Sequence, residues 1–320
     1  MVTIQVAKNG GPEELVPVQV DEPKQEESSL LLEVEAAGIN YIDVYQRIGI
    51  YQLPKPYIPG LEGVGRVLKG DGVFAEGERV GWINVPGSYA EQISIPTTKA
   101  FRVPKTSSVG EALLFQGVTA QYLVKEYATI NPGTVALVHA AAGGVGQLLL
   151  QWLKHLGAVV IATASSSQKL QTAISLGADY TINYSESDFV EAVSEITSGR
   201  GVDIAFDAVG KATLAKTLQT LAARGTAVTY GSASGLPPSI EPVTLISNAT
   251  RLAGASIFPH IADDGEMQIR VADVIAAIQD GWLRVSPGIG YSLMDAAKAH
   301  EDLEGRRTEG KLYLQTLVSR

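Results

Sequence analysis

The 320-residue chain is 45% hydrophobic, carries a formal net charge of −9 and contains no cysteine. That length predicts two domains with ordinary cores. The acidic balance disfavours a nucleic acid or an anionic membrane as main partner, and the missing thiols exclude disulfides, thiolate zinc sites and a cysteine nucleophile.

In chain order, Met1–Val6 reads as a strand, with no basic-then-apolar leader, which together with the absence of cysteine fits a cytoplasmic protein. No segment is long and apolar enough to cross a membrane. Short apolar runs punctuated by Gly and Pro follow at Leu30–Val34, Gly63–Leu68, Arg79–Ile83 and Ala90–Ile95, predicting a β-rich lobe. A helical pattern over Glu111–Tyr127 carries the chain onward.

From Thr134 the rhythm changes. Strands are predicted at Thr134–His139, Val159–Thr163, Tyr180–Asn183, Val202–Asp207, Gly225–Tyr230 and Arg251–Ile257. Helices alternate with them at Val145–Leu156, Gln168–Leu176, Ser187–Thr197 and Ala212–Leu221. This spacing predicts an α/β domain, a Rossmann doubly wound parallel sheet. Helix Met267–Gln279 and a tail, Leu283–Leu317, then return to the first lobe, so that the nucleotide domain is inserted in the β-rich one. The tail holds strand-like pieces at Tyr291–Leu293 and Leu312–Leu314 around a helix over Met294–Leu303.

The most informative stretch joins the first of those strands to its helix: His139-Ala140-Ala141-Ala142-Gly143-Gly144-Val145-Gly146-Gln147. Ala141 takes the place of the first glycine of a dinucleotide fingerprint, with Gly143 and Gly146 in the second and third. A helix N-terminus there presents free N–H groups and the positive end of a dipole to a pyrophosphate. The second strand runs into Thr163-Ala164-Ser165-Ser166-Ser167-Gln168-Lys169 with no acid, where NAD sites place an Asp or Glu for the ribose hydroxyls. Hydroxyls and a cation suit a 2′-phosphate, so the cofactor expected is NADPH. Lys169 is either that phosphate reader or a solvated helix lysine. Tyr184 packs either on the adenosine or beneath a loop.

These residues match a family. The chain resembles the zinc-free, zeta-crystallin-like quinone oxidoreductases of the medium-chain dehydrogenase/reductase superfamily. The likeness runs through Gly10–Glu13, Ala37–Tyr45, His139–Gly146, Ile182–Tyr184, Phe206–Gly210, Gly231–Gly235, Ala299–Glu304 and Thr308–Gly310. It implies a GroES-like catalytic domain (1–120 and 262–320), an inserted Rossmann domain (121–261), NADPH in the cleft, and a homodimer through edge strands near Leu252–Phe258. It implies that Asn40, Asp43, Tyr45 and Tyr51 line the nicotinamide side. Thr119, Gly143, Gly144, Val145 and Gly146 would bind the cofactor, with Gly144 and Val145 on the pyrophosphate. Ser165, Lys169, Tyr184 and Arg306 would surround the adenosine phosphate, and Tyr230, Gly231 and Ser232 would pass beside the cofactor. Gln116 stands where resembling bacterial chains often have lysine, and Ser256–His260 departs from the expected Arg-containing segment.

Zinc-dependent relatives place a cysteine and a His–Glu pair where this chain has Asn40 and Gly60-Leu61-Glu62. Of the four histidines, His139 is expected to be packed or loop-bonded, and His155 and His300 to lie at the surface or half-buried. No metal is therefore expected, and hydride transfer to an already electrophilic acceptor, a quinone, fits better than alcohol oxidation. Asn40 would bond the nicotinamide ribose or a carbonyl, or else satisfy loop backbone. Asp43 would orient Tyr45 or a water, or else cap a helix. Tyr45 and Tyr51 would stack on the ring or donate to a developing oxyanion. The alternatives are an NADPH-dependent reductase of α,β-unsaturated carbonyls and a non-catalytic NADPH-binding protein with a structural or RNA-associated role.

Overall fold

The computed structural model describes residues 1–316. The chain divides into two compact units. One holds Met1–Gln116, Ile261–Ala272 and the chain from Val285 to the last described residue; the other holds Gly117–His260 and Asp273–Arg284.

The first unit is built on a seven-stranded sheet. Its path runs Ile289–Ser292, Leu312–Gln315, Ser29–Ile39, Glu62–Lys69, Arg79–Ile83, Ala100–Arg102, with Gln92–Pro96 also paired to Ser29–Ile39. Strand Ser29–Ile39 is buried along most of its 11 residues, as its near-continuous apolar sequence requires. One core gathers Leu30, Leu32, Val34, Val80, Trp82 and Ile95; a second joins Ile4, Ile39, Tyr89, Leu293 and Leu314. Trp82 is wholly buried and donates its indole N–H to Ser88 Oγ at 3.0 Å, so its one polar atom is satisfied inside the core.

The second unit is a six-stranded parallel sheet ordered Tyr180–Asn183, Val159–Ala164, Val135–Val138, Val202–Asp207, Leu221–Thr229, Arg251–Gly254. Numbered along the chain, that order is 3-2-1-4-5-6, the doubly wound arrangement. The order reverses between Val135–Val138 and Val202–Asp207, and ligands of such sheets bind beyond the carboxyl ends of strands at that point. Leu137, Ile161, Ile182, Phe189, Val193 and Ala205 form the core on one face.

Three elements differ from the sequence reading. The helix expected over Glu111–Tyr127 is two, Val109–Ala112 and Phe115–Glu126. The break coincides with the buried carboxylate of Glu62, whose Oε2 accepts the N–H of Phe115 at 3.0 Å and so starts the second helix. The helix expected over Ala212–Leu221 shrinks to Leu214–Thr217 plus a 3-10 turn, because the following strand already begins at Leu221. The last strand ends at Gly254 rather than Ile257.

Candidate functional site

In the second unit, strand Val135–Val138 feeds the glycine turn and helix Gly144–His155. Ala140 takes a positive φ of 52°, and Gly143 closes the turn by donating its N–H to Ala140 O at 2.9 Å. Gly143 is the N-cap and offers no side-chain cap, so the first-turn N–H groups of Gly144, Val145 and Gly146 are left to an anion. A Cβ on Gly146 would lie 2.3 Å from Ala140 O and 2.9 Å from Ala141 Cα, both backbone. Gly146 therefore lets the helix sit against the turn, the task of a third fingerprint glycine. A Cβ on Gly143 would meet only Ala140 O at 3.2 Å. The cradle fits a pyrophosphate.

The neighbouring strand ends carry the second predicted group. Ser166 is the N-cap of helix Ser167–Ser175, accepting the N–H of Lys169. Ser165 and Lys169 are half-buried on that turn. Register pairs Ala164 with Asn183, which brings Tyr184 and Ser185 beside it; Ser185 Oγ donates to Ser165 O at 3.2 Å. Tyr184 packs against the sheet core.

Across the switch point lies Asp207, wholly buried. Its Oδ1 accepts from the N–H groups of Val209 (2.8 Å) and Gly210 (3.0 Å) and from Thr213 Oγ1 (2.9 Å); its Oδ2 accepts from Thr217 Oγ1 (2.9 Å). His139 is buried between Thr163 Oγ1 at 2.8 Å and Thr217 Oγ1 at 3.0 Å, and burial pushes its pKa down. With Thr217 giving its proton to Asp207, the imidazole carries its proton on Nε2 and accepts from Thr163 at Nδ1. The loop so braced holds the next strand's end: Tyr230 N–H donates to Asp207 O and Ala233 N–H to Ala208 O. Gly231 is required there, since a Cβ would stand 2.8 Å from Ala208 O. Thr119 is buried in helix Phe115–Glu126 of the same unit. Sequence reasoning assigned no role to Asp207, although its position at a strand end, ahead of Gly210, was a usable signal.

In the first unit, helix Tyr41–Ile48 follows strand Ser29–Ile39 directly. Asn40 is its N-cap and donates its backbone N–H to Asp43 Oδ2 at 2.8 Å. The helix stops at Gly49, left-handed at φ 86°, and turns back so that Tyr51 N–H reaches Tyr45 O. That return brings the rings of Tyr45 and Tyr51 to 6.0 Å, with Tyr41 5.6 Å from Tyr45. Tyr45 is 9% exposed and Tyr51 53%. Arg306, at φ 55° just past helix Ala296–Glu304, belongs to this unit and acts electrostatically on Tyr41.

Two expectations need correction. Asp43 does not line an open surface: it has no solvent exposure, and its carboxylate accepts from Asn40 N–H and Tyr89 Oη (3.1 Å). Its place is beneath the helix, as a cap and brace. His300 is neither at the surface nor half-buried. It is wholly buried, in hydrogen-bonding reach of Tyr89 Oη (3.1 Å) and Arg47 Nη1 (3.3 Å), and Arg47 pairs with Glu304 at 2.5 Å. His155 is exposed and stacks on Trp282.

Burial raises Asp43 to about 7, with Asn40, Tyr89 and Lys311 opposing and Glu62 adding to the rise. Burial, then Arg47, lowers His300 to about 3. Asp43 thus contributes stability that is lost as pH climbs from 3.8 through 7, whereas His300 contributes stability lost as pH falls from 6.5 through 3. Between pH 3.8 and 6.5 the two slopes oppose each other. Asp43→Asn leaves only the second, so across that window the variant is expected to fall behind the wild type by about 1.4 kcal/mol per unit of acidification. Denaturant melts at a series of pH values measure this; parallel curves would contradict it.

Beside the helix, Lys311 Nζ bonds to Glu62 Oε1 and, at 3.2 Å, to Asn40 Oδ1. Asn40 Nδ2 donates to Glu62 Oε1 at 2.7 Å.

Residues 26–139 match the family model of the alcohol dehydrogenase GroES-like domain, and residues 144–268 that of zinc-binding dehydrogenase. A probable quinone oxidoreductase of Schizosaccharomyces pombe is 37% identical over 317 residues, 97% of this chain and 96% of that protein. A 2-haloacrylate reductase of a Burkholderia species is 36% identical over 97% of each. The crystal structure of Escherichia coli quinone oxidoreductase complexed with NADPH superposes with a TM-score of 0.93 at 35% identity, covering 98% of this chain and all of that one. The chain has no cysteine, and both buried imidazoles are engaged by Thr, Tyr and Arg side chains. No group of three or more His, Cys, Asp or Glu side chains that could hold a metal occurs among the described residues.

Proposed function

The chain belongs to the quinone oxidoreductase family of the medium-chain dehydrogenase/reductase superfamily, and from that membership we propose that it reduces quinones with NADPH, without a metal. The observation that carries the cofactor half is the uncapped helix N-terminus at Gly143–Gly146, on the switch point of a 3-2-1-4-5-6 sheet, beside an acid-free turn ending in Lys169.

Bound NADPH supplies the hydride. The backbone of Gly143–Gly146 would hold the pyrophosphate. By the resemblance, Ser165, Lys169, Tyr184 and Arg306 would contact the 2′-phosphate and adenosine, and Thr119, Tyr230, Gly231 and Ser232 would flank the rest. Asn40, Tyr45 and Tyr51 would face the nicotinamide and acceptor. A hydroxyl or amide N–H placed on a quinone oxygen stabilises the charge that develops there. Tyr51 is exposed enough for solvent to supply the proton.

Lys169→Ala tests the phosphate reading. A lost charge-assisted contact is worth about 1.5–3 kcal/mol, so Kd for NADPH should rise roughly tenfold or more while Kd for NADH stays near its wild-type value. Equal losses for both cofactors would contradict it.

A second reading, reduction of an α,β-unsaturated carbonyl, is supported by the likeness to 2-haloacrylate reductase. Faster NADPH oxidation with acrylates and enones than with quinones would favour it. A homodimer through the edge strand Arg251–Gly254 is part of the proposal. Among the described residues that strand pairs on one side only, with Leu221–Thr229. The segment leading to it exposes Leu236, Val243 and Ile246. Light scattering should give twice the 33.8 kDa chain mass; a monomer at micromolar concentration would contradict it. The cysteine-free composition supports a cytoplasmic site of action. No helix among the described residues is long and apolar enough to cross a membrane.

A further inference from the structure

Three neighbouring strands bring Asn40 together with two charged side chains, Glu62 and Lys311, to which the reaction as described gives no role. Leu312 pairs with Ile39 in an antiparallel ladder, which sets Lys311 opposite Asn40. Gly63 pairs with Ala37 on the other side, which sets Glu62 opposite Gly38. The Glu62 side chain lies where a side chain on Gly38 would go: a Cβ there would be 2.3 Å from Glu62 Oε1. All three members are buried, Glu62 at 0%, Lys311 at 3% and Asn40 at 5% exposure. An ion pair this dry is costly to assemble and is weak evidence of a stabilising role.

The arrangement has a polarity. The ammonium of Lys311 faces Asn40 Oδ1, and the Glu62 carboxylate faces Asn40 Nδ2. A flipped amide would set N–H against ammonium and oxygen against carboxylate, so the charges on its two sides admit one orientation. One Nδ2 hydrogen remains for a ligand. We propose that Lys311 is a positioning residue for the reaction, acting with Glu62 to fix the Asn40 amide so that its remaining N–H points at the cofactor or acceptor. This inference rests on the assignment of Asn40 to the site in the quinone reductase reading.

Lys311→Met alone strands a buried carboxylate and is expected to fold poorly. The paired variant Lys311→Met/Glu62→Gln removes both charges at similar volume. It should bind NADPH within about threefold of the wild type, yet lose roughly tenfold or more in kcat with a saturating quinone, an effect of the size seen when an oriented donor is misplaced. In an Asn40→Ala background the same pair should cost no further kcat, because its effect passes through Asn40. Additive losses would overturn the proposal. A second readout does not depend on turnover. With 15N-asparagine labelling, the Nδ2 hydrogens of Asn40 should be well dispersed and protected from solvent exchange in the wild type, and should move toward free-amide shifts with faster solvent exchange in the paired variant. Unchanged Asn40 signals in the paired variant would overturn the proposal whatever the activity. A wild type that binds NADPH but turns over no quinone would instead remove the quinone reading, leaving the labelling experiment to decide Lys311.

Discussion

Gly146→Ala is expected to lose both stability and cofactor. The added methyl meets Ala140 O at 2.3 Å and Ala141 Cα at 2.9 Å, so nothing flexible can yield and helix Gly144–His155 must lift from the turn. Forcing a methyl group into filled space costs about 1–3 kcal/mol. The same displacement misaims the first-turn N–H groups, and each 1.4 kcal/mol lost in binding raises Kd about tenfold. Gly143→Ala is the matched contrast. Its Cβ meets only Ala140 O at 3.2 Å, which a shift of a few tenths of an ångström relieves. Thermal melts of the cofactor-free variant should therefore stay near the wild type, while NADPH binding falls because the methyl faces the phosphate. Fluorescence titration and melts of both variants separate the two glycines. Equal melting losses in the two would contradict the assignment of the third glycine to packing and the second to phosphate approach.

Asp207→Ala is expected to have the largest effect on stability outside the hydrophobic cores. Four donors lose their acceptor at once: the N–H groups of Val209 and Gly210 and the hydroxyls of Thr213 and Thr217. At about 1 kcal/mol or more for each buried donor left unpaired, the loss is about 4 kcal/mol. The loop it braces also receives Ala233 N–H and Ser234 N–H, so the segment at Tyr230–Ser232 should loosen and NADPH affinity fall with it. Asp207→Asn should be far milder. Its Oδ1 keeps three of the four donors, and Thr217 can turn its proton to Thr213 O, 3.0 Å away, while accepting from the new amide. Chemical denaturation of the two variants tests this; near-equal losses would show that the carboxylate's charge, and not its hydrogen bonds, holds the loop.

What was legible in the sequence was local. The glycine turn, the serine–lysine turn and the alternation of strands and helices are each written within a few tens of residues, and the six parallel strands lie where apolar runs predict them. The Asn40–Glu62–Lys311 triad was not legible, because its outer members are 271 residues apart and meet only through the register of three strands. His300 was misplaced for a related reason. Its helix shows a polar-looking face, and the Arg47 and Tyr89 side chains that bury it come from distant elements. For Asp43 the resemblance implies a site residue and the local sequence equally allows a helix cap; its burial and the N–H it accepts from Asn40 favour the cap. The break before Phe115 followed from the same distant Glu62.

The most direct test of the account is NADPH oxidation by purified, chelator-treated protein with a simple para-quinone under anaerobic conditions, followed at 340 nm alongside hydroquinone formation. The account predicts one hydroquinone per NADPH consumed, a clear preference for NADPH over NADH, and no loss of rate on chelation. Protein that binds NADPH but reduces no member of a quinone panel, or that needs added zinc to do so, would contradict it.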